Sequence, residues 1–242
     1  MKLILTDCRI FTSGVDLSGA SNKVELSAEA EERDATNFRS GGWKEVVAGL
    51  TSGTVSAEGH WSAGDPAAVD DATWAQLGGR GPWTVCPEEA TVGALAYTTV
   101  ALRTSYKLGA QVGEIAPWSA EAATSGPVVR GAIAHPPGIA RSGSGAGEPI
   151  EIGTVPTGGR LVAALHILSA SGTGTLAVTV ETAPAEDAWT EPETSVFFDP
   201  TGQPGGQMVS VVAPTAGPWA RPTWTVDGTA SFLLVLALSV QP

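Results

Sequence analysis

Chemistry near neutral pH usually draws on histidine, paired carboxylates or an activated thiol, and this sequence scatters all three. His60, His135 and His166 are far apart. None stands in a His-x-x-x-His or Cys-x-x-Cys context, so no zinc-ligand spacing is present. His166 lies in the apolar run Leu-Val-Ala-Ala-Leu-His-Ile-Leu and reads as a core histidine. No phosphate-cradling Gly-rich loop and no nucleophile elbow occur. Glycosidic cleavage needs two carboxylates at a fixed separation in a cleft; the 25 acidic residues here single out no such pair and read as solvated faces. The aspartates around 65–71 lack the turn Gly and closing Glu of an EF-hand loop. Cys8 and Cys86 read as free thiols, with one bridge as the alternative, and a single pair is no disulfide framework. The chain is therefore expected not to be an enzyme, with no catalytic residue, no metal ligand and no cofactor. Eight Trp stand against two Tyr; Trp43 reads as an interface anchor, Trp61 and Trp224 as core.

The elements that hold these residues follow from composition and period. The chain has 242 residues, 43% of them hydrophobic and only 16% charged, with 30 Gly and 17 Pro. That balance is one of short strands punctuated by turns. The net charge is −12, divided equally about Ala134, and no basic patch stands out. Binding by phosphate neutralisation is not expected on that ground. The apolar run 231–240 is too short to span a bilayer as a helix. Asp7 and Arg9 interrupt any secretory core, so a cytoplasmic site of synthesis is expected.

Residues 2–12 read as a strand. Over 23–31, Val24, Leu26, Ala28 and Ala30 alternate with Glu25, Ser27, Glu29 and Glu31, and over 53–61 Val55, Ala57 and Trp61 alternate with Thr54, Ser56, Glu58 and His60. Period-two alternation predicts strands with one buried and one wet face. The intervening loop, 32–50, is far longer than a hairpin needs and carries Phe38 and Trp43, which suits a partner surface. Residues 65–77 predict the one helix, with Asp65 as N-cap, Pro66 at the first position and Gly78-Gly79 as the stop. Strands follow at 82–86, 93–106, 111–119 and 126–133. Residues 135–147 are dense in Gly, Pro and Ser and predict a linker. Beyond it, segments at 148–152, 160–168, 175–181, 195–198, 207–213, 219–226 and 229–240 predict a second β-sandwich, jelly-roll or Ig-like. The expected fold class is thus all-β, with domains at 1–134 and 148–242.

The order of several segments resembles the major tail protein, or tail tube protein, of long-tailed siphovirus-type bacteriophages, especially those of actinobacterial hosts. These are Gly14-Val15-Asp16-Leu17-Ser18-Gly19, Asn22, Thr36-Asn37-Phe38-Arg39-Ser40-Gly41-Gly42-Trp43, Gly49-Leu50, Glu58-Gly59-His60-Trp61, Leu77-Gly78-Gly79 and Gly126-Pro127-Val128-Val129-Arg130-Gly131. The likeness covers roughly residues 1–134; the rest looks like the C-terminal extension that some such proteins carry.

The resemblance implies a β-sandwich or barrel with one flanking helix. It implies self-association into stacked hexameric rings, or a trimer of two-domain subunits, and a virion tail assembled in the host cytoplasm. The tape measure, tail tip and tail terminator proteins would be partners, and DNA would pass without specific binding or membrane insertion. On that reading Glu25, Glu29, Glu31 and Glu58 line an acidic channel, while Asp34, Thr36, Phe38, Arg39 and Trp43 contact the next ring or subunit. A carbohydrate-binding β-sandwich module and a capsid decoration protein are the competing functions.

Overall fold

The computed structural model describes residues 5–65, 68–190, 193–212 and 217–242. The described chain is almost entirely β, with one short helix and two sheets of 11 and five strands. The all-β expectation holds.

In the first half, β1 (Arg9–Thr12) and β2 (Val15–Asp16) form a hairpin across Ser13 and Gly14, whose φ values are 45° and 86°. Two positive φ angles are what a two-residue type I′ turn requires. Gly14 also permits a close approach, since a Cβ there would lie 2.5 Å from the Gly205 backbone. The expected strand 2–12 is therefore shorter than its composition suggests, and residues 2–4 of it lie outside the described residues.

β3 (Ser21–Asp34) and β4 (Val46–His60) pair as one long hairpin. The expected 32–50 loop is narrower than its composition suggests: 32–34 and 46–50 are strand, and the connection is 35–45. β5 (Arg80–Cys86), β6 (Leu95–Leu108), β7 (Pro117–Thr124) and β8 (Val129–His135) complete this half. β7 sits C-terminal to the expected 111–119, because Ser119, Glu121 and Ala120, Ala122 carry the alternation. β6 takes β5 on one edge, and β8 then β7 on the other. A bulge at Thr104 resets its phase, so that Ala101 and Tyr106 both join the core with Ile10, Val55, Trp83 and Trp118.

The helix α1 (Val69–Ala75) buries Val69, Ala72 and Thr73 against this core. It is shorter than 65–77. Ala68, not Asp65, occupies the N-cap and offers no side-chain cap, while the Asp65 carbonyl closes a turn by accepting from the Ala68 N–H at 2.7 Å. Pro66 lies outside the described residues. The Trp118 indole N–H donates to Thr73 Oγ1 at 3.2 Å, tying helix to sheet.

The second half contains β9 (Gly145–Ala146), β10 (Ile150–Glu151), β11 (Arg160–Ser171), β12 (Gly174–Ala183), β13 (Thr194–Phe197), β14 (Gly205–Val212), β15 (Trp219–Gly228) and β16 (Ser231–Gln241). The expected strand 207–213 ends here at Val212, with residue 213 outside the described residues. β14, β11 and β16 face the smaller sheet of β10, β15, β12 and β13 across a core of Leu165, Val178, Trp224 and Leu236, among others. The sandwich is real, but it is not a separate body. β16 pairs with β8, so both halves share the 11-stranded sheet. A further apolar cluster joins Phe11, Cys86 and Ala96 to Val235 and Ala237.

β11 and β16 are therefore buried on both faces, which explains their continuous apolar runs. The segment expected as a linker is also part of the fold. Gly145–Ala146 adds to β15, Arg141 exchanges backbone hydrogen bonds with Phe232, and the Trp224 indole donates to Gly143 O at 3.0 Å.

Candidate assembly surfaces

Four strands, β3-β4-β7-β6, form one curved sheet with an apolar side and a wet side. The apolar side carries Val24, Leu26, Val55, Ala57, Ala120 and Ala122, and α1 covers part of it. On the wet side, residues align in cross-strand rows. One row runs Lys23, Glu58, Ser119, Lys107, and the next runs Glu25, Ser56, Glu121, Ser105. Ser27 and Thr54 share a 2.8 Å hydrogen bond in the row after that. These rows bound a concavity of about 580 Å³.

The structure thus brings Glu25, Glu29, Glu31 and Glu58 to a single face, and it adds Glu121 from β7. The cations on this face are also specific. The Lys23 ammonium lies 3.1 Å from Glu58 and 3.7 Å from Glu25, and Arg33 lies 2.9 Å from Glu31. The two carboxylates raise the Lys23 pKa, led by the Glu58 hydrogen bond. Among the described residues, Glu29 and Glu121 make no ion pair. Sequence reasoning missed Glu121, although Ser119-Ala120-Glu121-Ala122 is itself period two; a strand frame set at 111–119 concealed it.

Beyond Gly53, β4 has no partner except β3. The pair leaves the body of the chain as a two-stranded arm, and none of residues 28–52 is buried. An isolated hairpin is marginally stable in water. This one is braced at its tip by local hydrogen bonds. Asp34 accepts from the Thr36 N–H at 2.8 Å, the Glu45 N–H donates to Thr36 Oγ1 at 3.0 Å, and the Arg39 N–H donates to the Asn37 side chain at 2.9 Å. Bonding to Thr36, through side chain and then backbone, lowers the Asp34 pKa. Gly41 and Gly42, with φ of 62° and 86°, make the left-handed bend that closes the tip. The result displays Phe38, fully exposed, and Trp43, 81% exposed. All five residues expected at a contact therefore cluster on or beside one ordered tip.

Two edges of this four-stranded sheet are open among the described residues. β3 pairs only with β4, and β6 has no strand partner on its β5 side past Leu102. Near that second edge lies an aromatic cluster. Asp70 on α1 accepts hydrogen bonds from the Tyr106 hydroxyl and from the Trp61 indole, the latter at 3.0 Å. Those two donors, Tyr106 first, hold the Asp70 pKa below its ordinary value. Trp74 meets the Tyr106 ring edge-on at 5.4 Å and is 63% exposed. Trp61, expected in the core, is instead 37% exposed, because its indole nitrogen needs the polar partners that the surface offers. Trp224 is buried as expected.

The histidines assemble no site. His166 is fully buried; its Nδ1 accepts from the Gly14 N–H at 3.5 Å and its Nε2 lies 2.8 Å from Thr84 Oγ1. Burial lowers its pKa to about 3. His135 accepts from Arg141 Nε at 3.0 Å and meets the Trp224 ring edge-to-face at 5.3 Å, and burial, then the Arg141 charge, lowers its pKa to about 4. Cys8 and Cys86 are free, and burial pushes the Cys86 thiol up to about 12. Among the described residues no group of three or more His, Cys, Asp or Glu is placed to hold a metal ion.

No protein-family model matches the chain, and no curated protein matches it. Among solved structures, 52% of the chain is similar to 97% of a chain in the tail of an empty GTA particle refined with helical C6 symmetry, at 21% identity and a TM-score of 0.43. A chain of the native gene transfer agent virion is matched over all of its length and 54% of this one, at 20% identity and a TM-score of 0.43. The Dit protein of phage SPP1, described as a hub adsorption apparatus protein, is matched over 99% of its length and 97% of this chain, at 9% identity and a TM-score of 0.35.

Proposed function

We propose that this chain is a structural, non-enzymatic subunit of a bacteriophage tail, of the long-tailed siphovirus type. It polymerises into a tube that delivers DNA. The observation that carries the reading is the β3–β4 arm. Its edges, both its faces and its aromatic tip are uncovered among the described residues, although a two-stranded ribbon gains stability only by being covered or extended.

Its natural complement is another copy. The open β3 edge and the open end of β6 bound the same sheet, so neighbouring subunits can join edge to edge and continue it around a ring, hexameric or trimeric. The wet face then lines the lumen. Its carboxylates outnumber its cations, so DNA meets a wall that repels it weakly and does not grip it. The sandwich of the second half lies outward as decoration. The tape measure, tail tip and tail terminator proteins meet the tube, and the whole belongs to the virion.

Removal of residues 36–43 tests this. The tip contributes nothing to the core, so the shortened chain folds and stays soluble, yet it no longer sediments as polymer. Normal tubes from the shortened chain would contradict the role of the arm.

A further inference from the structure

The chain presents two exposed aromatic surfaces at opposite ends of one sheet. The arm tip extends past Ala30 and Thr51, whereas Trp61 follows His60, which pairs with Pro117 at the other end of the ladder. Tyr106 stands two residues before Leu108, the partner of Trp118 at that same end.

We propose that the Trp61–Tyr106–Trp74 cluster is the receptor for the arm tip of a second copy of this chain. The inference rests on the assembly reading above and adds the surface that receives the arm. Both sides are held in shape before they meet. Asp70 fixes two rings of the receptor by hydrogen bonds, and the tip is closed by Thr36, Asn37 and Glu45. Rigid aromatic contacts lose little freedom on binding.

One charge pairing is available between them. Arg39 on the tip makes no ion pair among the described residues, while Asp70 and Asp71 fill the first turn of α1 beside the exposed Trp74. Phe38 and Trp43 are left exposed by the described residues of their own chain, and so are Trp74 and Leu77. Because tip and receptor lie at opposite ends of the sheet, the contact is head-to-tail. Such a contact repeats in one direction and does not end at a dimer.

Cross-linking between copies tests the assignment. Two populations are made in a Cys8→Ser background, one with Lys44→Cys at the tip and one with Leu77→Cys beside Trp74. Cys86 is buried and stays unreactive. Mixed with a short bis-maleimide, they are expected to give cross-linked dimers, whereas Lys44→Cys mixed with a Phe197→Cys chain gives none. Adding Arg39→Glu to the tip lowers the dimer yield about tenfold, and Asp71→Lys on the receptor restores it. Equal yields for the two pairings, no dimer from either, or a yield indifferent to Arg39→Glu would overturn the proposal. Tubes seen without the cross-link remove this inference and leave the assembly reading; the cross-link without rings or tubes does the reverse.

Discussion

Thr84 and His166 stand 82 residues apart in the chain, yet Thr84 Oγ1 lies 2.8 Å from His166 Nε2 at the seam between the two halves. The Gly14 N–H reaches the other ring nitrogen, so that nitrogen is the acceptor and Nε2 carries the proton. A neutral imidazole is thus built into the contact, and charging it would turn Nδ1 into a second donor facing a donor.

This fixes a pH dependence. The folded pKa values of His166 and His135, about 3 and about 4, lie below the ordinary histidine value. The unfolded chain therefore binds more protons in the window between, and stability falls as pH drops below about 6.5. The slope is about 1.4 kcal/mol per pH unit for each histidine at most. Chemical denaturation from pH 7 to pH 4 should show this loss, and a His166→Gln chain should show a shallower one. Equal slopes for the two would refute the assignment.

The Trp118–Thr73 bond is the buried polar tie from the α1 interior to the sheet, beside the exposed bonds of Asp70. Trp118→Phe removes the indole donor and part of a fully buried ring. The expected loss is about 1–3 kcal/mol by denaturant titration. Because α1 also carries Asp70 and Trp74, the environment of Trp74 should change too, read as a shift in tryptophan emission. A variant as stable as the parent would contradict the packing described.

The wet face gives a functional prediction. Lys at Glu25, Glu29, Glu31 and Glu58 together replaces a face with excess carboxylate by one with excess ammonium. These side chains lie opposite the core, so assembly should persist while DNA ejection from reconstituted particles slows. Ejection at the parental rate would show that these carboxylates do not line the DNA path.

Much of this was legible in the sequence. The alternation around Val24–Glu31 and Thr54–His60 placed four glutamates on one face because strand period is a local property. Phe38 and Trp43 could be singled out because they fall in a connection far longer than a hairpin needs, and the resemblance added Asp34, Thr36 and Arg39. What escaped notice depends on contacts between distant segments. Gly, Pro and Ser at 135–147 read as a linker, yet Trp224 and Phe232, some 80–90 residues away, pin that segment down. The apolar runs of β11 and β16 showed burial but not that the second covering layer is the first half. Trp61 fell in phase with core residues, and only Asp70 and Tyr106, from other elements, hold it at the surface.

The central claim is that this chain polymerises through its β3–β4 arm. Negative-stain electron microscopy of the purified protein at high concentration, with and without residues 36–43, tests it most directly. The account predicts rings of uniform diameter or hollow tubes from the whole chain and single particles from the shortened one. Single monomeric particles from both, or tubes from both, would contradict it.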